Sequence, residues 1–528
     1  MLAAAGAGAS ALLGCLAIES AGPAGGGGNP GGGPPGSAAV VHVSPASGTI
    51  PVGQTQQFTA TPQDSAGNPL ATLSVTWASS NPGVATVDGS GLVAGVSQGD
   101  ATISATSEDK TGSAAVAVVR QPPPGSPDPT LLPRAALQAP DLTAYTALNL
   151  PARPAGYSYP DPVTHVKIWK VTSNTVPTTN SGAGHDYAEG SNQVSRGWGV
   201  NGNTHTLLIR GAGMPYYLVD FTRGVGFTNY RQVSGLDLRD IAFTFSSVPG
   251  RERIAYAIDQ RTGLLHRYNT ATMQLEDAGF FPVTLNTAAP RGMTWLHQDK
   301  DDGWFVGLWD GTTAFAWNSR TNQLLTHGES WLNEPRLERD GRYVGLTGGG
   351  NGPVRLWDLS TNSFGPTQSL TQISYFSHLA SCRSMWVATN AQGTAPFAQE
   401  RYDVSGGQLV ETQILANSAT ALGSDEAGNW IQSDAEVGGN LSRQWSYLTG
   451  TGVQPWSSLL LWNQAVGVQR ADGSDQRLLL HHYSVGITYW DSPWGMPSPD
   501  GKVVIFNSNM NGSGRYDLFV AEVPLRRP

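Results

Sequence analysis

The chain has 528 residues, a net charge of −9 and only 13% charged residues, where about 25% is usual. That length exceeds what one hydrophobic core organises, so at least two domains are expected. No tract of Lys and Arg could neutralise a phosphate backbone, which argues against a nucleic-acid partner. Gly 65 and Pro 35 suit many short strands joined by turns. The two cysteines, Cys15 and Cys382, build no disulfide framework, and Cys382 in the apolar run Ser381–Val387 reads as a buried structural thiol.

Residues 1–14 form an apolar stretch too short to span a bilayer, ending at Cys15. Leu12-Leu13-Gly14-Cys15 resembles the bacterial lipobox, in which the Cys is lipidated and becomes the new N-terminus. The departure is the lack of any Lys or Arg before Cys15. The resemblance implies export and a lipid anchor at Cys15, on a bacterial outer membrane or cell surface, with no other membrane contact. Residues 16–37, dominated by Gly, Pro and Ala, make a flexible linker.

Over residues 38–120, short alternating runs such as Val40-Val41-His42-Val43 and Leu73-Ser-Val-Thr-Trp77 are separated by turn signals, the pattern of a β-sandwich. Trp77 is expected to point inward, and Asp88-Gly-Ser-Gly91 to form a tight turn with positive φ. Trp77-Ala-Ser-Ser-Asn81, Val84-Ala-Thr-Val-Asp88, Gly91-Leu-Val-Ala94 and Gly99-Asp-Ala-Thr-Ile-Ser-Ala105 resemble the bacterial Ig-like group 2 family. The resemblance implies a stalk or adhesion module on a bacterial surface, and spacer is the expectation preferred. Residues 121–134 are a Pro-rich linker expected to project the next domain.

Residues 135–528 show no helical period. A unit recurs instead: a turn, an apolar strand, a gap, and a second strand ending near Asp or Asn. Instances are Asn203–Ile209 with Tyr216–Asp220, Arg253–Ile258 with Leu264–Asn269, and Gly303–Leu308 with Thr313–Asn318. Asp340–Leu346 with Val354–Leu359, and Ser384–Ala388 with Gln399–Val404, come next. Trp430-Ile-Gln with Leu459–Trp462 is weaker, and Asp500–Phe506 with Tyr516–Val520 is last. The fold class is therefore all-β: an Ig-like sandwich, then a β-propeller. Seven blades are expected, with six or eight the alternatives. The early strand His165–Lys170 has no unit of its own and is expected to clasp the last blade.

Propellers bind ligands at one mouth of the central channel, so the segments entering the inner strands supply the candidates. They include His185-Asp186-Tyr187, Ser195-Arg-Gly-Trp198-Gly199, Arg291-Gly-Met-Thr-Trp295, Asn333-Glu-Pro-Arg336, Phe376-Ser-His378-Leu379 and Tyr489-Trp-Asp-Ser-Pro-Trp494. The ligand-binding candidates are His185, Trp198, Arg336, His378, Tyr489 and Trp494, because aromatics with a few charges suit a sugar or a peptide. His185, His378 and His482, with one carboxylate, are candidates for a divalent metal. The adjacent pair His481-His482 faces opposite sides of a strand and is no ligand pair by itself.

The last segments, Pro497-Ser-Pro-Asp-Gly-Lys-Val-Val-Ile-Phe-Asn-Ser-Asn509 and Tyr516-Asp-Leu-Phe-Val-Ala-Glu-Val-Pro524, resemble oligogalacturonate lyases and TolB-like propellers. Ser377-His378-Leu379 is similar to a segment of those lyases whose His binds a divalent metal. Ser492-Pro493-Trp494 stands where they carry a further His pair, and Glu334 where they carry a catalytic-base His. The resemblance thus implies the scaffold with most of the active site replaced. Two functions are compatible with it. One is a surface-anchored binding protein whose propeller engages a polysaccharide or an envelope or extracellular protein. The alternative is a diverged polysaccharide lyase acting on uronate-containing glycans, with Arg336, His378 and Tyr489 as catalytic candidates.

Overall fold

The computed structural model describes residues 36–119, 125–133, 139–178, 198–210, 215–238, 243–246, 248–259, 261–276, 294–309, 311–348, 352–369, 379–382, 385–389, 399–415, 429–432, 445–449, 465–470, 476–485 and 496–527. The chain divides into two compact units at Gln121 and Pro122. No helix among the described residues is long and apolar enough to cross a membrane.

The first unit is the sandwich. One sheet orders the strands Ser47–Pro51, Lys110–Val119, Gly99–Ser107 and Thr76–Ser79; another orders Thr55–Gln57, Leu92–Gly95 and Ala85–Val87; Val40–Ser44 pairs with Thr59–Gln63. Ile50, Phe58, Val93, Ile103, Val116 and Val118 fill the space between, because alternate residues of each strand point inward. The turn before Leu92 is as expected: Gly91 has φ +84°, and the Asp88 carboxylate accepts the amides of Ser90 and Leu92. Trp77 points inward as expected and packs against this core cluster without being fully buried. It sits on the edge strand Thr76–Ser79, half-buried, with its indole against Gly91, where a Cβ would come within 2.7 Å of the ring.

The second unit is a propeller. Among its described residues, seven sheets succeed one another along the chain. The first runs from strand Trp198–Asn201 to Gly226–Gln232 and the second from Phe243–Phe245 to Gln274–Leu275. The third runs from Thr294–Gln298 to Gln323–Gly328 and the fourth from Glu334–Leu337 to Ser363–Phe364. The fifth runs from Leu379–Cys382 to Gln408–Leu415 and the sixth from Asn429–Gln432 to Gln476–His481. First strands of neighbouring sheets pack beside one another, as Phe243–Phe245 does on Thr294–Gln298 and the latter on Glu334–Leu337, so these strands are the inner ones. Middle strands are covered on both faces, which is why Ile254–Asp259 and Val503–Ser508 read as nearly continuous apolar runs.

The seventh sheet orders Ser158–Pro160, Lys167–Lys170, Asp517–Glu522, Val503–Ser508 and Met496–Pro497. The early strand thus completes the last sheet, pairing Ile168 with Ala521 and Lys170 with Phe519. Two details depart from expectation. Leu142–Ala147 is a helix, begun where the Asp141 side chain accepts the Ala144 amide at 2.8 Å and buried through Tyr145. In the sixth sheet Trp430 belongs to the inner strand, and the middle pair is Trp445–Thr449 with Ala465–Arg470; Leu459–Trp462 lies outside the described residues.

Candidate functional site: the inner strands of the third and fourth sheets

Where the chain enters the inner strands of the third and fourth sheets, polar and aromatic side chains gather. Glu334 and Arg336 lie on the strand Glu334–Leu337, two residues apart and therefore on one face. The Arg336 guanidinium donates to the Glu334 carboxylate at 2.8 Å, and both side chains are fully buried. Burial raises the Glu334 carboxyl to about 7 against the opposing pull of Arg336. Burial likewise lowers the Arg336 guanidinium.

His297, on the neighbouring inner strand, is also fully buried. Burial, then the positive charges of Arg336 and Arg339, push its imidazolium well below the usual range, while the Pro335 carbonyl pulls the other way. The ring is therefore neutral at physiological pH. Among the described residues, neither ring nitrogen makes a hydrogen bond of good geometry, and Glu334 Oε1 makes none.

Trp295 precedes this pair. It is half-buried and adopts φ +58°, in the left-handed region that a bulky side chain enters only under constraint. The cause is a bulge: the pairing register with the next strand shifts between Thr294 and His297. The Arg336 guanidinium carbon lies 5.3 Å from the Trp295 ring centre. Trp331, half-buried just before the fourth inner strand, packs on the same apolar cluster as Trp295, and Asn333 beside it is exposed.

Turns at the far ends of the inner strands hold buried carboxylates with structural work. Asp302 accepts from Ser246 at 2.5 Å, Tyr256 at 2.7 Å and Gln298 at 2.9 Å, tying the second sheet to the third. Asp500 in the last Ser-Pro-Asp-Gly turn takes Ser498 at 2.6 Å and lies 3.0 Å from His205 of the first sheet. Burial pushes the Asp500 carboxyl up, but the His205 contact and charge and the Ser498 bond overcome this and hold it down at about 2.

Of the residues proposed from sequence, Arg336 is enclosed in the ion pair above. Trp198 opens the first inner strand with its ring in the apolar core, edge-on to His205 at 5.9 Å. His482 comes directly after the outermost strand of the sixth sheet, buried, its Nδ1 accepting the Ser484 amide at 3.0 Å. Arg336 and His482 thus stand at opposite radial ends of different sheets. His185, His378, Tyr489, Trp494 and Cys15 lie outside the described residues. Among the described residues, no group of three or more His, Cys, Asp or Glu is placed to hold a metal ion. Residue type alone does not mark Trp295, His297 or Trp331. Segments 291–295 and 333–336 are legible as strand entries, but the bulge that turns Trp295 has no signature in its residues.

The fold and its inner-strand site define a two-part, all-β protein, an Ig-like sandwich followed by a propeller. Residues 37–118 match the family described as Bacterial Ig-like domain (group 2). No curated protein matches the chain in sequence. Among solved structures, an oligogalacturonate lyase from Vibrio parahaemolyticus is 14% identical over 70% of this chain and 96% of its own, with a TM-score of 0.44. An oligogalacturonate lyase in complex with manganese is 14% identical over 70% and 97%, with a TM-score of 0.47. An S-layer protein is 27% identical over 17% of this chain and 14% of its own, with a TM-score of 0.16.

Proposed function

We propose that this chain is a bacterial surface protein whose propeller binds a glycan or an envelope or extracellular protein without turning it over. The Ig-like module serves as its spacer, and Cys15 as its lipid attachment point. The Glu334–Arg336 pair carries this reading. A lyase acting on uronates needs a cation to neutralise the substrate carboxylate and a base to take the C5 proton. Arg336 is instead held at 2.8 Å by a carboxylate of the chain itself, with both groups out of water. Separating them would leave a buried charge unpaired, at about 3–5 kcal/mol.

The alternative, a diverged lyase, is favoured by one observation: a carboxyl raised to about 7 is poised to accept a proton at neutral pH. Full-length protein incubated with polygalacturonate and manganese or calcium separates the two. Binding in affinity electrophoresis with no ultraviolet-absorbing unsaturated product is expected. Metal-dependent product that His378→Ala and Glu334→Gln each abolish would replace binding by catalysis. Cys15→Ala is expected to move the protein out of the membrane fraction of the producing cells; retention there would remove the anchor.

A further inference from the structure

We propose that Trp295 and Trp331 form a stacking site for an uncharged pyranose ring of a glycan, with Asn333 as its polar contact, on the strand-entry end of the third and fourth sheets. This deepens the binding reading above and rests on it. Trp295 is the first observation. A tryptophan at φ +58° carries a backbone cost of about 1–3 kcal/mol that an Asn or Gly there would not incur. Bulges on strands commonly re-aim one side chain, and the register shift here falls at an indole at the entrance to an inner strand. Immediately beyond it the strand returns to burying its side chains, Leu296 and His297 among them.

Trp331 is the second. It precedes the neighbouring inner strand, so it lies at the same end of the ring, and it rests on the same buried cluster, built from Leu332, Leu337, Val344 and Trp357 among others. Both indoles are backed by apolar packing on one side and are not fully covered. Rigid, half-exposed aromatics of this kind offer flat apolar surface at little conformational cost.

The chemistry of the surroundings selects the ligand class. The charged groups nearest the two indoles, Glu334 and Arg336, are buried and paired with each other, so neither is presented to an anionic or cationic ligand. Asn333 is exposed beside Trp331, and its amide both donates and accepts, as sugar hydroxyls require. The apolar face of a pyranose, bearing only C–H groups, matches an indole, and its equatorial hydroxyls match an amide.

The test uses the full chain against cellohexaose, maltohexaose and mannohexaose by calorimetry, with a galacturonate hexamer as the charged comparison. At least one neutral hexasaccharide is expected to bind. Trp295→Asn keeps a residue at ease with positive φ, so the fold is retained while stacking is lost, and affinity is expected to fall about tenfold or more. Trp331→Ala is expected to act similarly, and Trp331→Phe to restore part of the loss. Three results overturn the site: no neutral hexasaccharide binding, undiminished affinity in folded Trp295→Asn and Trp331→Ala, or preference for the galacturonate hexamer. The last leaves the wider binding reading intact, whereas unsaturated product from any probe strikes at that reading and not at the tryptophans alone.

Discussion

Two buried ion pairs in the propeller make an instructive contrast. In the clasping sheet, the Lys170 ammonium is wholly enclosed, with Leu150 O at 2.6 Å, Arg153 O at 2.8 Å and Asp517 Oδ2 at 3.0 Å around it. The two backbone carbonyls accept from the ammonium while Asp517 pairs with its charge, and Thr172 and Arg515 address the same Asp517. In the inner strands, Glu334 and Arg336 are equally enclosed, and Glu334 Oε1, like Asp517 Oδ2, makes no good hydrogen bond among the described residues, nor does either nitrogen of the adjoining His297. The Lys170 ammonium gathers two backbone carbonyls and a carboxylate from separate segments and so holds elements in register. The Glu334–Arg336 pair joins two residues of a single strand. The first locks a seam; the second sits under the proposed ligand site.

Removing Lys170 breaks the contrast most severely. Lys170→Ala leaves the buried Asp517 with Thr172 and Arg515 alone and should cost about 3–5 kcal/mol, read as a fall in propeller stability by denaturant melt, while the Ig-like unit melts as before. The double change Lys170→Met with Asp517→Leu should recover most of that loss; no recovery would mean that the backbone carbonyls of Leu150 and Arg153, not the ion pair, set the requirement. A smaller effect is expected at the junction of first and last sheets. His205→Ala leaves Asp500 with Ser498 and Lys502 and should cost about 1–3 kcal/mol. It should also raise the Asp500 carboxyl from about 2, which carboxyl titration by NMR would detect. Because Asp500 is held below its unfolded value, its contribution is present above that value and is lost as pH falls toward 2.

Glu334 titrates in the opposite sense. Its folded value, about 7, is raised above the ordinary 4.5. Between these pH values the folded state binds more protons than the unfolded state, so stability declines as pH rises through the window. Comparing the native chain with Glu334→Gln from pH 5 to pH 8 should therefore show the native chain losing ground steadily. A flat difference would place Glu334 in ordinary solvent contact and erase the distinction drawn between the two pairs.

Much of this architecture can be read from the residues. The repeated strand pairs ending at Asp220, Asn269, Asn318 and Asp358 mark middle strands because those strands are covered on both faces and must be apolar. The clasp is legible because Val166-Lys-Ile-Trp169 is strand-like yet stands apart from any repeat. Inner strands are harder: Glu334-Pro-Arg-Leu337 is short and charged, and nothing local says that Glu334 and Arg336 are enclosed by neighbouring sheets. Trp77 is legible as an inward residue, and the sequence leaves out only that Gly91 makes the space its indole occupies. The site residues Trp295 and Trp331 are obscured for a related reason: the described tryptophans Trp169, Trp198, Trp317, Trp357 and Trp386 are core packing, and nothing in residue type sets Trp295 and Trp331 apart from them.

The clasp also governs when the propeller can exist during folding. Thr172 bonds Asp517 across 345 positions of chain at 2.9 Å, and Gly125, Ser126 and Asp128 bond Arg526 and Pro524. Closing a loop of that length costs on the order of 5 kcal/mol in chain entropy before the seam returns anything. Contacts so remote in sequence are formed late and slowly. The strand Lys167–Lys170 joins its sheet only through Asp517–Glu522, so closure of the ring depends on two segments remote in sequence meeting, and loss of either strand would remove it.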